Sequence, residues 1–556
     1  MGQATIIAPD VPPPSGRVQL AAMQAEATEK QTAAQTARPD TAAIAKAVIR
    51  HLNDDPKGAL QILQGVDREF ETPDLLAALG YIYSELSNYE EAAVCYGKLV
   101  LREPDETEGW FQWGYCLYKL GRITDALERF QKAAALRSDW IEIPLAESIC
   151  HLSLKQYPAA FQRADDCLRI NPSHVPALFT KAVALHVTWE LDKAAELYRE
   201  VLKLDANSAE ALMNLITLGL QQKQYDVVQQ YSQQLIALQP DNTLAIEGIA
   251  TSAYNGENYE KALRYYTRLV ELAPDQVSNW LNLGVTNEKR GMLQDAIQAF
   301  SKARLIKPDS LYAHSFLGSA LWKLGNLAAA RDCYQNAVSK WPEREELILS
   351  LSQVLEELNS IEAAEKTCAD FCAHDPERKQ VWFRLGYLQW LRDNAEGAVE
   401  SFARALQLKP AWPEAEINLA LACHRAGQYE RAENVLLGLI DREPENVEAL
   451  KGLATVALAQ NRAERSLELH EKLLQLVGSN AEICYNCGVL AQNLNQLERA
   501  VQYYRHAISA RADFPEALLN LGHALKALGH EEEARTVWIP ALEQRPEFAL
   551  RYFRRG

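Results

Sequence analysis

Long apolar runs are missing from this sequence. No stretch of about 18 apolar residues occurs, so no direct insertion into a membrane is expected. The first sixteen residues, MGQATIIAPDVPPPSG, also lack the basic start and the apolar core of a secretory signal. Ten cysteines in a long chain without such a signal favour a reducing, cytoplasmic setting.

Basic residues are too few to balance the acidic ones. The chain has 57 Lys and Arg against 74 Asp and Glu, a formal net charge of −17 at pH 7. Binding to nucleic acid depends on Lys and Arg that neutralise phosphates, so this balance argues against nucleic acid and anionic membrane surfaces. It favours protein or peptide partners that are neutral to basic.

Motifs for catalysis and metal binding are absent as well. The histidines are scattered without ligand spacing, and no nucleophile elbow or phosphate-binding glycine loop is found. Cys484 and Cys487 form a CxxC pair, but zinc needs four ligands and both residues fall in packing columns of the repeat described below. We therefore expect buried packing for these thiols, and no enzyme activity, metal or cofactor in this chain.

Glycine and proline, scarce elsewhere, recur with a period of 34 residues, so that equivalent positions form columns of similar residues. One column consists mainly of proline, a second contains small residues such as Gly114 and Gly284, and a third contains Ala126 and Ala296. The proline column consists of Pro104, Pro172, Pro240, Pro274, Pro308, Pro342, Pro376, Pro410, Pro444 and Pro546. The register continues without insertion over residues 73–548, which corresponds to fourteen repeats. A period of this size indicates a solenoid.

Each repeat divides into two helices, here called helix A and helix B. In the second repeat, apolar residues at helical spacing predict helix A over 108–119 and helix B over 123–136. Gly121, between them, is expected to end helix A in the left-handed conformation. The small columns allow the two helices to approach closely, and the proline column ends helix B.

These strings resemble the tetratricopeptide repeat. The resemblance rests on Trp-x2-Trp-Gly-x2-Leu at 110–117 and Ala-x3-Phe-x2-Ala at 126–133, and on similar units at 280–308 and 382–410. It covers 73–548 and implies an all-α fold, an α-solenoid in which about fourteen tandem helix-turn-helix repeats form a right-handed superhelix. Helix A of each repeat would line a concave groove that binds peptides or proteins.

The flanking segments depart from the repeat. Residues 1–38 are rich in Ala, Gln, Thr and Pro and are expected to be a disordered leader. Residues 39–72 have a helical pattern without the repeat's markers, as expected of a degenerate capping repeat. Residues 549–556 begin a truncated C-terminal helix, so this uncapped end is available for a partner or for self-association.

Asparagine recurs at the sixth position of helix A. The residues are Asn214, Asn282, Asn418, Asn486 and Asn520. Here the resemblance extends to the repeat region of O-GlcNAc transferases, where an asparagine ladder holds the backbone of a bound polypeptide. An amide both donates and accepts, so it suits a main chain of any sequence. Other residue types interrupt the ladder at 316, 350 and 384, so binding is expected toward the C-terminal end. The alternative is that asparagine is merely tolerated on an exposed helix face.

Two aromatic clusters are further groove candidates. They are Tyr81, Phe111, Tyr115 and Tyr118 in the first two repeats, and Phe383, Tyr387 and Trp390 in the tenth. Rigid aromatic rings are typical binding anchors. The alternative is packing between helices.

These observations predict a non-catalytic scaffold or adaptor that binds extended partners in the concave groove. One alternative is the substrate-recognition subunit of an enzyme complex such as a glycosyltransferase, which the asparagine ladder favours. A more remote alternative is a helical-repeat RNA binder, which the acidity of the chain opposes.

Overall fold

The fold is described here from a computed structural model, which covers residues 6–11, 39–67 and 71–549. Within these ranges every regular element is helical, with thirty α-helices and one short 3-10 helix at Pro546–Phe548. The chain forms two compact units, Met1–Gly291 and Met292–Gly556.

The first unit contains α1 to α15. Their bounds are Pro39–Leu52, Pro56–Gln64, Pro73–Glu85, Tyr89–Arg102, Thr107–Lys119, Ile123–Leu136, Glu142–Ser153, Tyr157–Ile170, Val175–Val187, Leu191–Leu204, Ala209–Gln221, Tyr225–Leu238, Thr243–Asn255, Tyr259–Leu272 and Val277–Lys289.

The second unit contains α16 to α30. Their bounds are Leu293–Ile306, Leu311–Lys323, Leu327–Lys340, Glu345–Glu357, Ile361–His374, Lys379–Leu391, Ala395–Leu408, Pro413–Arg425, Tyr429–Arg442, Val447–Ala459, Ala463–Val477, Ala481–Asn493, Leu497–Ala510, Pro515–Ala527 and Glu531–Gln544.

The helices α3 to α30 follow the predicted 34-residue register, with A helices carrying odd numbers and B helices even ones. In the second repeat, α5 is Thr107–Lys119 and α6 is Ile123–Leu136, one residue from the predicted bounds. The prediction of an all-α solenoid of tandem helix-turn-helix repeats is confirmed. The helices α1 and α2 precede the first repeat, and Leu63 of α2 belongs to one buried cluster with Leu75 and Ile82 of α3.

A left-handed residue ends the A helix of every repeat from Ser87 to Gly529. At Gly121 φ is 75°, as predicted, and the turn is closed by two main-chain hydrogen bonds. The Gly121 N–H donates to Tyr118 O at 2.9 Å, and the Arg122 N–H donates to Leu117 O at 2.9 Å. This pair satisfies carbonyls that would otherwise be left open at the helix end.

The small column of helix A accommodates an aromatic ring from helix B of the same repeat. A Cβ built on Gly114 would lie 2.8 Å from a ring carbon of Phe130, and one on Gly488 would lie 2.5 Å from Tyr504. Both rings are fully buried. The close approach inferred from the sequence is therefore a contact of the ring with the glycine backbone.

Where the small column holds a large residue, the opposing position on helix B is small. In the fifth repeat, Ile216 stands in the small column and Ser232 stands where most other repeats have a ring; both are completely buried. The large side chain of Ile216 on helix A compensates for the small side chain of Ser232 on helix B, so the interior stays filled.

The ten cysteines are free and buried. Cys484 and Cys487 are 3% and 0% exposed, which confirms the prediction that the CxxC pair packs in the core. Burial raises the pKa of the Cys487 thiol to about 12, so this sulfur is held protonated and unreactive.

Candidate functional site

Residues 6–11 lie against helices of the first unit without regular secondary structure of their own. They belong to the stretch 1–38 that the sequence predicts to be a disordered leader, which stays a prediction for the stretch as a whole. Within residues 6–11, Ile6 and Val11 supply apolar contacts that the average composition of the stretch conceals. The rest of 1–38 lies outside the described residues.

Asn214 of α11 holds the main chain of Ile7 on both sides. The Ile7 N–H donates to Asn214 Oδ1 at 2.8 Å, and Asn214 Nδ2 donates to the Ile7 carbonyl at 2.9 Å. The Asn214 side chain is fully buried, and Ile6 packs against the apolar cluster of α9 to α13 beside it. Because only backbone atoms of Ile7 take part, this contact does not depend on the identity of the Ile7 side chain.

Buried polar side chains lie beneath Asn214. The Tyr198 hydroxyl is 3.5 Å from His186 Nδ1, and His186 Nε2 is 3.1 Å from Gln221 Oε1. Burial raises the pKa of Tyr198 well above its usual range, although a hydrogen bond with Asn214 opposes this shift. Burial also lowers the pKa of His186. Both groups are therefore neutral at physiological pH, and the network orients the Asn214 amide without introducing charge.

The other end of the segment contacts α5. Lys119 Nζ lies 2.5 Å from Asp10 Oδ2, and the second carboxylate oxygen of Asp10 accepts the N–H of Val11 at 2.9 Å. The same ammonium lies 5.5 Å and 5.9 Å from the ring centroids of Tyr115 and Tyr118. The Val11 side chain is only 1% exposed and belongs to the same buried cluster as Tyr115.

Burial and the nearby carboxylate keep both tyrosines neutral. Burial, followed by the charge of Asp10 and a hydrogen bond to it, raises the pKa of Tyr118 to about 12. Burial, Tyr89 and then Asp10 raise the pKa of Tyr115 to about 12. A neutral Tyr118 hydroxyl donates to the carboxylate, so an ammonium and a hydroxyl both face Asp10.

The first aromatic cluster is only partly at this site. Tyr115 and Tyr118 lie at the segment, and their role in binding a partner stays a prediction. Phe111 does not: it is completely buried, with its ring 5.2 Å from Phe130 and 4.8 Å from Trp140. The groove interpretation is therefore wrong for Phe111, since its position on α5 points between helices. Tyr81 is half-buried and packs edge-on against His51 at 5.6 Å.

The second aromatic cluster packs mainly against its own unit. Phe383 stacks on Trp412 with ring centroids 4.7 Å apart. Trp390 is covered by the Arg425 guanidinium at 5.2 Å. Tyr387 remains half-buried, and its hydroxyl donates to Glu356 at 3.2 Å.

A half-buried charge pair accompanies Tyr387. Arg384, which stands at the ladder position of the tenth repeat, donates to Glu356 at 2.5 Å. It also donates to Ser352 Oγ at 3.0 Å. The groove candidates of the two units therefore differ in chemistry, with an amide at Asn214 and an ion pair at Arg384.

The remaining ladder asparagines do not share a partner. Asn418 Nδ2 donates to Glu414 O of its own helix at 2.8 Å, and Asn520 Nδ2 donates to the Tyr485 hydroxyl at 3.0 Å. Asn282 is half-buried and Asn486 is exposed. A role in ligand binding for these four residues stays a prediction.

The sequence analysis did not identify Ile7, Asp10, Val11 or Lys119 as site residues. The available signal was the pair of isoleucines and the valine inside a polar, alanine-rich stretch. Lys119 could not be distinguished from other lysines at helix C-termini, because its partner lies 109 positions away.

Within the part of the chain that the structure describes, no group of three or more His, Cys, Asp or Glu side chains could hold a metal ion. The same ranges contain no helix of the length and apolarity needed to cross a membrane.

Family models match most of the repeat region. Models described as "Tetratricopeptide repeat" match residues 73–106, 107–140, 248–310, 317–373, 481–514 and 515–538. A model described as "Cytochrome c-type biogenesis protein H TPR domain" matches residues 371–484.

Curated proteins are similar over shorter stretches. Human Protein O-mannosyl-transferase TMTC1 is 25% identical over 170 residues, 30% of this chain and 19% of that protein. Human Tetratricopeptide repeat protein 6 is 25% identical over 29% of this chain and 31% of its own length. Barley Probable UDP-N-acetylglucosamine--peptide N-acetylglucosaminyltransferase SPINDLY is 27% identical over 21% of this chain and 13% of its own length. The chain thus spans less than a third of each of these relatives.

Solved structures with related repeats include YrrB, described as a TPR protein with an unusual peptide-binding site. It is 20% identical and covers 34% of this chain and 96% of its own, with a TM-score of 0.32. The APC/C hetero-tetramer Cut9-Hcn1 is 15% identical and covers 85% of this chain and 94% of its own, with a TM-score of 0.31.

Proposed function

We propose, from the premise that this chain belongs to the tetratricopeptide repeat family, that it is a non-catalytic interaction scaffold. Repeats of this family generally serve protein–protein interaction and are generally not catalytic themselves. The finer proposal is that the groove of the first unit binds extended polypeptide segments through their main chain.

One observation supports this finer proposal above all. The Asn214 amide is already paired with the N–H and the carbonyl of one residue, Ile7, in a segment without regular secondary structure, at 2.8 Å and 2.9 Å. Each such bond stabilises a complex by about 0.5–1.5 kcal/mol. The neutral neighbours of Asn214 restrict its amide to few orientations, which lowers the entropic cost of binding a main chain.

The experiment compares Asn214 with an asparagine outside the ladder. The full chain is immobilised, bound proteins are identified by mass spectrometry, and their direct binding to the purified chain is measured by calorimetry. The variant is Asn214→Ala, and the control is Asn336→Ala, because Asn336 is exposed on the B helix α18. We expect the first substitution to weaken partner binding by about tenfold, corresponding to the loss of ~1.4 kcal/mol.

Two results would count against the proposal. One is a set of partners that Asn214→Ala binds as tightly as the parent chain does. The other is the absence of any direct protein or peptide ligand. Circular dichroism of both variants controls for folding, since Asn214 is part of a buried network.

A second candidate function is the recognition subunit of a glycosyltransferase complex. It is favoured by two relatives, TMTC1 and SPINDLY, that carry transferase names and match within this repeat region. A transferase activity that co-purifies with the chain, and that transfers sugar only to proteins the groove retains, would support it. Partners without such activity would leave the scaffold function alone.

A further inference from the structure

We infer that the groove of the first unit selects a segment with two adjacent aliphatic residues followed, three residues later, by an aspartate and a branched aliphatic residue. We also infer that residues 6–11 of this chain compete for that groove. The inference rests on the proposed function, and it adds the ligand's chemistry and its regulation. The pattern is that of the seated segment, Ile-Ile-Ala-Pro-Asp-Val.

The aliphatic end of the pattern is set by what surrounds Asn214. Asn214 holds the backbone of Ile7, and Ile6 packs against the buried apolar cluster of α9 to α13. A polar side chain in place of Ile6 would lose this apolar contact without gaining a partner from the cluster. The main-chain contact therefore positions the segment, and the neighbouring side chain adds selectivity.

The acidic end is set by donors that converge on one carboxylate. Lys119 faces one oxygen of Asp10 at 2.5 Å, and Tyr118 contributes a neutral hydroxyl. The other oxygen of Asp10 accepts the N–H of the next residue at 2.9 Å. A lysine in place of Asp10 would be repelled, because its ammonium cannot accept a hydrogen bond from the ammonium of Lys119. An asparagine in place of Asp10 would lose the attraction between opposite charges. The side chain of Asp10 is short enough to accept a hydrogen bond from the N–H of Val11, and this contact favours aspartate over the longer glutamate.

The last position requires an apolar side chain. Val11 is only 1% exposed, and its cluster contains Tyr115, Leu117 and Ile149. A branched aliphatic side chain fills this site, whereas a charged one would be desolvated there without a partner. The local chemistry thus selects one acidic residue, although the net charge of −17 predicts a neutral-to-basic ligand overall.

Competition follows from the segment's place on the same chain. A tethered ligand acts at an effective concentration on the order of millimolar. If the groove binds the free segment with a dissociation constant of about 10 µM, the seated segment lowers the apparent affinity for a partner by about 100-fold. A partner must therefore carry the pattern at high local concentration or bind additional repeats.

The test uses a fluorescein-labelled peptide with the sequence of residues 5–12 and the full chain in fluorescence polarisation. The double variant Ile7→Pro with Asp10→Ala removes one main-chain donor and the carboxylate from the chain's own segment. We expect this variant to bind the labelled peptide at least tenfold more tightly than the parent does. Equal affinities would show that residues 6–11 do not compete and would overturn the inference.

A charge exchange tests the selectivity. In the double variant, we expect Lys119→Glu to weaken the binding of the labelled peptide, which carries aspartate, by at least tenfold. The same substitution should strengthen the binding of a peptide with lysine in place of that aspartate. The matched control is Lys323→Glu, at the same register in the second unit, which should leave the affinity unchanged. Insensitivity to Lys119→Glu would overturn the acidic selectivity.

The two proposals fail in different ways. If the double variant binds identified partner proteins but not the labelled peptide, the pattern is wrong and the proposed function stands. If neither the parent nor the double variant binds any protein or peptide, the proposed function itself fails. If the parent forms a dimer that Ile7→Pro disrupts, the segment acts between copies, and competition within one chain is overturned.

Discussion

Alanine at Gly488 should weaken the thirteenth repeat, because the site has no room for a methyl group. A Cβ built on Gly488 lies 2.5 Å from Cε1 and 2.6 Å from Cδ1 of Tyr504. Carbon atoms in favourable contact are about 3.5–4.0 Å apart, so the overlap is about 1 Å. The ring cannot move aside easily, since it is fully buried and its hydroxyl donates to Gln492 at 2.8 Å.

The magnitude follows from two opposing effects. Overpacking a well-filled interior costs about 1–3 kcal/mol, and an overlap of this size belongs near the upper end. Replacing glycine by alanine inside a helix stabilises it by about 1 kcal/mol. We therefore expect Gly488→Ala to lower the local free energy of unfolding by about 2 kcal/mol.

A matched control separates the two effects. Gly438 is also inside a helix of the second unit, α24, but a Cβ built there has no neighbour within 4 Å. Gly438→Ala should therefore raise the local free energy of unfolding by about 1 kcal/mol. A second control is Tyr504→Leu, which removes the ring. In that background we expect Gly488→Ala to cost much less, with a coupling energy of about 1–2 kcal/mol.

Native-state hydrogen exchange of the amides in α27 and α28 is the appropriate assay. A solenoid unfolds in groups of neighbouring repeats, so one global unfolding energy would average the effect away. The reasoning would be refuted if Gly488→Ala stabilised these amides as Gly438→Ala stabilises those of α24.

Two further predictions concern the first unit. Gly121→Ala should lower the local free energy of unfolding by about 0.5–1 kcal/mol, while Glu257→Gly should raise it by a similar amount, measured by native-state hydrogen exchange of the amides in α5 and α13, respectively. The reason is purely conformational, since φ is 75° and 59° at these positions and nothing lies within 4 Å of a Cβ on Gly121. The second prediction is that this unit loses stability as the pH falls below 6.5, the unperturbed pKa of histidine, because burial lowers the pKa of His186 and the unfolded state takes up the proton first. His186→Gln should reduce the difference between the local free energies of unfolding at pH 7.5 and 5.5, measured by hydrogen exchange of the amides in α9, and an unchanged difference would contradict this assignment.

The helices could be predicted closely because their signals are local and repeat in register. Gly121 and the columns around it identify the turn of the second repeat, and the predicted helices there differ from the observed ones by one residue. A left-handed residue at Trp189 or Glu257 has no such sequence signature, and only its register reveals it. Periodicity therefore compensates for weak individual signals in a solenoid.

The site was less predictable, because its contacts join residues far apart in sequence. The register placed Asn214 among the candidates, but the residue it contacts, Ile7, is 207 positions away. Phe111 was assigned to the groove because an aromatic anchor and a core ring look alike in sequence. Their difference depends on whether Trp140 of the next repeat covers the ring, which the spacing within one repeat does not encode.

The ladder position itself explains why register alone is an incomplete guide to function. Asn214 and Arg384 are separated by five whole repeats and stand at the same place on helix A. One holds the main chain of Ile7, whereas the other pairs with Glu356 in its own unit. The Asn214 amide offers one donor and one acceptor to a main chain, whereas the Arg384 guanidinium is engaged with Glu356 and Ser352. Removing the charge at Arg384 would leave Glu356 half-buried without its cation, so the residue at this position is explained by pairing within its own unit.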